Sequence, residues 1–173
     1  MKKFIFIITI IVSLFTLSAC ISSNETKTYQ YEKKDKSGTV FLYTFKIKGD
    51  KVLSQTSDNT ISIDEIMKND GIDPNTLSQE ETTNYVNSLK DQINSEISKN
   101  PKIKGYSDTF KIENRVIKEK VSLDYTKVDN LADLQKISGF SGDTSKGSFI
   151  SWKKTKKLII DQGFKEKNNS SFW

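Results

Sequence analysis

Cys20 is the residue whose surroundings in the sequence point most directly to chemistry. It is the only cysteine among 173 residues. Lys2 and Lys3 open the chain, and an apolar run follows at residues 4–15 (FIFIITIIVSLF). A charged start, an apolar run of about 7–15 residues and small residues before a cleavage point are typical of a secretory signal. The pattern therefore predicts that residues 1–19 are a signal peptide.

The residues Leu17-Ser18-Ala19-Cys20 resemble the bacterial lipobox, in which a branched apolar residue and two small residues precede a cysteine. The resemblance implies a diacylglycerol on the Cys20 sulfur and cleavage between Ala19 and Cys20. A thiolate is the nucleophile that accepts the lipid, and two acyl chains give stable anchoring. The alternative is an uncleaved transmembrane helix, because residues 4–21 approach the roughly 17–25 residues that a span needs. We expect a lipid anchor on the extracytoplasmic face of the cell membrane.

The chain contains no histidine, which limits the catalytic chemistry open to it. Ser-His-Asp and Cys-His nucleophiles, the usual zinc sites and the commonest general base are all removed. Ser151-x-x-Lys154 and Ser57-Asp58-Asn59 match two patterns of penicillin-recognising enzymes. Their order along the chain is wrong and no Lys-Thr-Gly is present, so we interpret both matches as coincidence and Ser151 as a helix cap.

Carboxylates are the remaining candidates for catalysis or metal binding. Residues 69–80 superficially suggest a calcium loop, but placing Gly71 at its sixth position puts Ile66 and Lys68 where oxygen ligands are required. Three further carboxylates share no face that their spacing would fix: Asp124, Asp129 and Asp133. We therefore predict no catalytic residue, no metal and no cofactor, and a protein that is not an enzyme.

The charge balance bears on possible partners. Without Lys2 and Lys3 the chain has 27 − 2 = 25 basic and 22 acidic residues, a formal charge of +3. This excess is too small and too scattered for nucleic-acid binding. A predicted helix over residues 151–162 places Lys153, Lys154 and Lys157 opposite its apolar side. These lysines are either solubilising surface or a contact to anionic headgroups or wall polymer.

Alternating apolar residues predict the strands that must position these groups. After a polar tether at residues 20–27, whose reach is roughly 20–25 Å, residues 27–63 predict a three-stranded meander. Its first turn lies at residues 35–38 and its second at Gly49-Asp50. The third strand is polar, which predicts either a sheet edge or one water-facing side. Residues 106–128 predict a second hairpin with its turn at Glu113-Asn114.

Capping residues predict the helices. Ser62 begins a short helix that Gly71 closes, and Ser78 with Glu81 forms a capping box for the longest helix. That helix ends before Pro101, and its apolar face comprises Tyr85, Val86, Leu89, Ile93 and Ile97. Asn130 caps a further short helix that ends before a flexible loop at residues 139–147. Phe164 opens a last short strand.

Strands and helices in this order predict a single α+β domain with an antiparallel sheet over residues 28–167, followed by a frayed tail at residues 168–173. Together with the lipobox, several segments resemble the YehR-like lipoproteins, small bacterial envelope proteins with no settled biochemical function. These segments are TYQYE at residues 28–32, IKGDKVLSQT at 47–56, VSLDYTK at 121–127 and QGFK at 162–165. The resemblance implies a compact α+β fold with an antiparallel sheet and supplies no catalytic residues.

The sequence leaves three kinds of function open. We favour a non-enzymatic binding or accessory module of the bacterial envelope, anchored through Cys20 and with an unknown protein partner. The second possibility is an unusual hydrolase that uses carboxylates or Ser151 with Lys154. The third is a pheromone precursor, because the apolar fragment ending at Ala19 resembles signalling peptides cut from lipoprotein signals.

Overall fold

The computed structural model describes residues 25–137, 140 and 149–167. The signal peptide, Ala19 and Cys20, most of the predicted loop at 139–147 and the tail at 168–173 lie outside the described residues. Three consecutive strands form the predicted meander: β1 is Thr26–Lys34, β2 is Val40–Lys48 and β3 is Lys51–Ser62. The first of them begins within the segment predicted as tether.

A six-stranded antiparallel sheet is the frame of the domain, which is the predicted α+β class. The second hairpin consists of β4 (Tyr106–Glu113) and β5 (Val116–Asp124), and β6 (Lys165–Glu166) pairs with β1. The strand order is β4-β5-β3-β2-β1-β6. β3 thus lies in the middle of the sheet, between β2 and β5, so an edge position for it is wrong. The alternative of one water-facing side fits, because Asp58 and Thr60 line a groove on the face without helices. The polar residues of β3 are divided between the two faces of the sheet.

The helices pack on one face of this sheet. They are α1 (Ile63–Asn69), α2 (Gln79–Lys99), a 3-10 helix (Leu131–Lys136) and α3 (Trp152–Asp161). The predicted capping box of α2 is present, because the Ser78 hydroxyl accepts from the Glu81 amide while the Glu81 carboxylate accepts from the Ser78 amide. Asn100 is extended before Pro101, which ends α2 where the sequence predicts. No helix among the described residues is long and apolar enough to cross a bilayer.

The β4–β5 turn differs from its predicted position by one residue. Asn114 and Arg115 both have positive φ, at 51° and 61°, so these two residues form the turn. A turn with two consecutive residues in the left-handed backbone conformation has a twist that matches the strands of a hairpin. Asparagine tolerates this conformation better than most side chains. Glu113 remains in β4.

Two apolar clusters hold the helices against the sheet. The first joins β1, β2 and β3 to α3 and the 3-10 helix, and includes Tyr31, Tyr43, Phe45, Leu134, Trp152 and Ile159. The second joins β5 to α1 and α2, and includes Ile63, Met67, Leu89, Ile93 and Ile117. The predicted inward face of α2 is therefore confirmed.

Replacing Leu89 with Ala is expected to destabilise the domain by about 2–5 kcal/mol, as for other large-to-small changes in a core. Leu89 is 4% exposed and packs in the second cluster. Urea unfolding of the variant and the parent measures the difference. Lys90, the exposed next residue of α2, provides the control, because Lys90→Ala should change stability by less than about 0.5 kcal/mol. A Leu89→Ala change near zero would contradict the packing described here.

Candidate functional site

A row of polar side chains crosses the helix-covered face of the sheet between the two apolar clusters. Alternation along β3 turns Gln55, Ser57 and Asn59 toward this face, and each is only 3–4% exposed. Glu119 lies directly opposite Asn59 on β5 and is 5% exposed. Asp108 of β4 is the next polar residue, opposite Val121. We call these five residues the acidic row.

Hydrogen bonds link the β3 and β5 members of the row. The Ser57 hydroxyl donates to Asn59 Oδ1 at 2.8 Å, and Asn59 Nδ2 donates to Glu119 Oε2 at 2.7 Å. At the other end of the row, the Tyr125 hydroxyl donates to Gln55 Oε1 at 3.0 Å. Gln55 Nε2 has no hydrogen-bond partner among the described residues. Most of the row is therefore a satisfied buried network, which is how proteins retain polar groups in a core.

The β4 side of the row is connected to the end of α2. Asn100 Nδ2 donates to the Tyr106 hydroxyl at 3.1 Å, and that hydroxyl donates to Asp108 Oδ2 at 3.4 Å. Asp108 Oδ1 is buried and has no partner within the described part of the chain. An unpaired buried carboxylate oxygen disfavours the charged form of the group.

Burial shifts the acid strength of both carboxylates. The pKa of Glu119 is raised from 4.5 to about 7, mainly by removal from water; the hydrogen bond from Asn59 opposes this shift and the nearby Asp108 contributes to it. Burial also raises the pKa of Asp108 from 3.8 to about 6, against the hydrogen bond from Tyr106. Carboxyl groups whose pKa values lie near neutral pH can take up or release a proton there. Perturbed carboxyl groups of this kind mark candidate sites and also occur in structural networks.

Glu119 should make stability fall as the pH rises. The folded chain holds the proton of the Glu119 carboxyl more tightly than the unfolded chain. This contribution to the free energy of unfolding is therefore complete below about pH 4.5 and is lost as the pH rises through about 7. Glu119→Gln keeps an oxygen to accept from Asn59 and cannot ionise. The variant should gain on the order of 2 kcal/mol relative to the parent between pH 5 and pH 8, at about 1.4 kcal/mol per pKa unit.

Urea unfolding at pH 5 and pH 8 measures this effect. Glu113→Gln is the control, because Lys111 and Lys118 lower the pKa of this exposed carboxyl. The Glu113→Gln variant should be no more stable than the parent at pH 8. Parallel pH profiles for Glu119→Gln and the parent would show that Glu119 is ionised in the folded domain at pH 7.

Ser151 does not cap α3 with its side chain, contrary to the sequence interpretation. Its hydroxyl instead donates to Asp50 Oδ2 at 2.8 Å, and the Lys153 amide donates to Asp50 Oδ1 at 2.7 Å. The carboxylate of Asp50, from the β2–β3 turn, therefore occupies the start of the helix, where the helix dipole favours negative charge. Ser151 is 4% exposed. The Ser151 hydroxyl is thus buried and already engaged with a carboxylate.

The three lysines of the predicted anionic contact have different surroundings. Lys153 is exposed, Lys154 is half-buried, and Lys157 forms an ion pair with Asp161 at 2.6 Å. Lys156, at the margin of that face, pairs with Glu166 at 3.2 Å. The structure thus places Lys153 and Lys154 at the start of α3 and Lys157 a turn away, beside an acidic residue.

The three carboxylates with no predicted shared face are surface residues with nearby lysines. Asp124 lies near Lys127 at 3.2 Å, Asp129 near Lys104 at 3.7 Å and Asp133 near Lys136 at 2.7 Å. Asp129 and Asp133 line one groove of about 300 Å³ at the start of β4. Exposed ion pairs of this kind contribute little stability, and the groove is electrically mixed.

The face of the sheet without helices carries a wider groove of about 480 Å³ across β3, β5 and β4. Alternation directs Asp58, Thr60, Thr109, Lys111, Lys118 and Lys120 into it. Lys120 lies 3.7 Å from Asp58, and Glu113 pairs with both Lys111 and Lys118. The groove therefore offers hydroxyl groups and paired charges to a polar partner.

Sequence reasoning missed the acidic row, although a signal for it was present. Tyr106-x-Asp108-x-Phe110 and Ile117-x-Glu119-x-Val121 each place a carboxylate at an inward position of an alternating strand. The apolar members of both series indicate an inward face, and the two acids share it. A charged residue in phase with apolar neighbours is the pattern to search for.

The fold and the candidate site together define the structural class of this protein. The chain is a two-layer α+β domain with an open six-stranded antiparallel sheet and no metal-binding group of histidine, cysteine or carboxylate residues among those described. It belongs to the family described as protein of unknown function (DUF1307), whose model matches residues 25–165. The sequence-based assignment to YehR-like proteins agrees with this family.

Known proteins similar to this chain include two from Listeria. The uncharacterized lipoprotein Lmo0207 of Listeria monocytogenes is 32% identical over 96% of both chains, and Lin0239 of Listeria innocua is 29% identical over the same shares. Among solved structures, Escherichia coli YehR has a TM-score of 0.54 at 23% identity, covering 87% of this chain and 99% of its own. A Streptococcus pneumoniae protein has a TM-score of 0.53 at 12% identity, covering 88% and 92%. These two structures support the fold.

Proposed function

We propose that this protein is a lipid-anchored module on the extracytoplasmic face of the cell membrane that acts by binding and not by catalysis. The observation that carries the proposal is the position of Cys20, the only cysteine, directly after two small residues and six residues before β1 begins at Thr26. The Listeria relatives that match 96% of the chain are named lipoproteins, which supports the same anchor. Two acyl chains on one cysteine give stable membrane attachment.

The short tether limits the partners within reach. Six residues at about 3.5 Å each span roughly 20 Å when fully extended. The domain therefore works close to the lipid headgroups, where its partners are envelope components. The mild net positive charge does not indicate nucleic acid as a partner.

Two features of the domain favour binding over catalysis. The hydroxyl of Ser151 donates to Asp50 in a buried position, which disfavours a Ser-Lys nucleophile. The exposed sheet face, by contrast, offers a groove of about 480 Å³ lined by hydroxyls and charges. A concave surface with a few convergent polar groups is typical of a binding site.

Site-specific photo-crosslinking in intact cells tests this proposal. A crosslinker at Thr109 in the groove should yield one defined adduct with an envelope component. The control position is Asn75, an exposed residue in the α1–α2 connection, and should not yield that adduct. The same adduct pattern from both positions, or none from Thr109, would argue against a binding face on the sheet.

A carboxylate-dependent hydrolase is the second candidate: the raised pKa values of Asp108 and Glu119 favour it, whereas the burial of Glu119, which is 5% exposed, opposes it. One group that is protonated and one that is ionised near neutral pH are what acid–base hydrolysis requires. The purified protein should then cleave wall-polymer fragments, and Glu119→Gln should lower that rate by at least 100-fold. Cleavage by the parent would overturn the binding proposal.

A further inference from the structure

We infer that the anchored domain rests on anionic lipid headgroups through a lysine-rich surface at the end of the sheet where the tether enters. The inference depends on the proposed Cys20 anchor and adds an orientation and a ligand class to it. Headgroups with a net negative charge, such as phosphatidylglycerol, are the ligand, because the lipid surface lies within reach of a six-residue tether.

The strand register gathers four lysines around the start of β1. β1 begins at Thr26, which pairs with Lys48, and Lys46 lies two positions earlier in β2. Lys48 in turn pairs with Lys51 across the Gly49-Asp50 turn. Lys27, the second residue of β1, completes the group, and all four of these lysines are exposed.

The start of α3 adds two further lysines to the same end. Lys51 forms a β-bridge with Ser151, and the Trp152 amide donates to the Asp50 carbonyl at 2.6 Å. Lys153 and Lys154 therefore lie beside the β2–β3 turn. We call the six lysines the basic end: Lys27, Lys46, Lys48, Lys51, Lys153 and Lys154.

Charge complementarity favours headgroups as the occupant of this surface. The segments 25–28, 46–52 and 150–154 contain these six lysines and two acidic residues, Glu25 and Asp50. Asp50 is already engaged by the Ser151 hydroxyl and the Lys153 amide. An anionic leaflet attracts such a surface within a Debye length of about 8 Å at physiological salt. The basic end thus combines the two lysines at the start of α3 with the four lysines at the end of the sheet where β1 begins.

Lysine footprinting of the full lipidated protein in vesicles tests the orientation. Vesicles of phosphatidylglycerol and phosphatidylcholine are compared with vesicles of phosphatidylcholine alone, and an amine-reactive reagent is read out by mass spectrometry. Lys46, Lys48 and Lys51 should react several-fold more slowly on the anionic vesicles, and 0.5 M salt should remove the difference. Lys36, beyond the far end of β1, and Lys90, on α2, are the internal controls and should react equally in both.

A charge variant and a matched control sharpen the test. Lys48→Gln, Lys51→Gln and Lys153→Gln together should abolish most of the protection at Lys46. The control triple at Lys36, Lys90 and Lys111 should leave it intact, with circular dichroism checking that both variants are folded. Equal labelling of vesicle-bound protein in both lipids would overturn the inference while leaving the anchor in place. Protection that appears only with added anionic wall polymer would also overturn it.

Failure of the anchor gives a different result. Protein that does not float with either kind of vesicle after lipidation in cells would refute the Cys20 anchor and, with it, this orientation. Flotation is therefore measured on the same samples before labelling.

Discussion

Replacing Cys20 with Ala is expected to move essentially all of the protein out of the membrane fraction or to leave it as unprocessed precursor. Cys20 is the only thiol in the chain, so no other residue can accept the diacylglycerol by the same chemistry. Each buried methylene of the acyl chains contributes about 0.8 kcal/mol to membrane binding, so loss of both chains removes the anchor. Detergent-phase partitioning and fatty-acid labelling of the cells measure the change.

Ser22→Ala is the matched control for this substitution, because it alters a polar residue of the tether two positions beyond the cysteine. It should retain both labelling and membrane attachment. A parent protein that takes up no fatty-acid label, with unchanged partitioning of the Cys20→Ala protein, would instead favour residues 4–21 as an uncleaved transmembrane helix.

Replacing Trp152 with Ala is expected to cost about 3–5 kcal/mol of stability. Trp152 is 8% exposed and attaches α3 to the sheet. Its ring stacks on Tyr29 with centroids 5.0 Å apart and packs against Phe45 at 5.4 Å and Tyr31 at 6.0 Å. Removing it leaves a cavity beneath the start of α3, next to the basic end.

Urea unfolding measures this loss, with Ile160→Ala as the control on the same helix. Ile160 is 49% exposed, so its truncation should cost less than about 0.5 kcal/mol. Equal effects of the two substitutions would mean that α3 does not pack against β1 and β2 as described.

The strands and helices were predictable where the sequence carries a periodic signal. Phe41, Tyr43, Phe45 and Ile47 alternate along β2, and three of these side chains are buried in the core. Ser78 and Glu81 predicted the start of α2 because their capping bonds are local. Both signals depend on residues that are neighbours in the chain.

Features that depend on distant residues were not predictable in the same way. Nothing within β3 specifies that β5 pairs with it, so its central position became visible only in the sheet. The capping of α3 by Asp50 joins residues about a hundred positions apart, and the nearer Ser151 was the better local candidate. Local sequence patterns predict individual strands and helices more reliably than they predict which of them lie side by side.

The candidate site was predictable only in part for the same reason. The lipobox is a contiguous motif, so Cys20 and Ala19 could be named from the sequence alone. The acidic row and the basic end are assembled by strand register from residues that lie far apart in the sequence. Asn59 and Glu119, 60 positions apart, meet only because β3 and β5 pair. Of the three lysines predicted on α3, Lys153 and Lys154 belong to the basic end, and its other four lysines lie on β1, β2 and β3.

The mass of the intact protein, extracted from membranes with detergent, tests the central claim most directly. A lipid-anchored module should begin at Cys20 and carry the added mass of a diacylglycerol on that residue, located by fragmentation to the first residue of the mature chain. A membrane-extracted chain that retains residues 1–19 and an unmodified Cys20 would contradict the anchor and the proposals that depend on it.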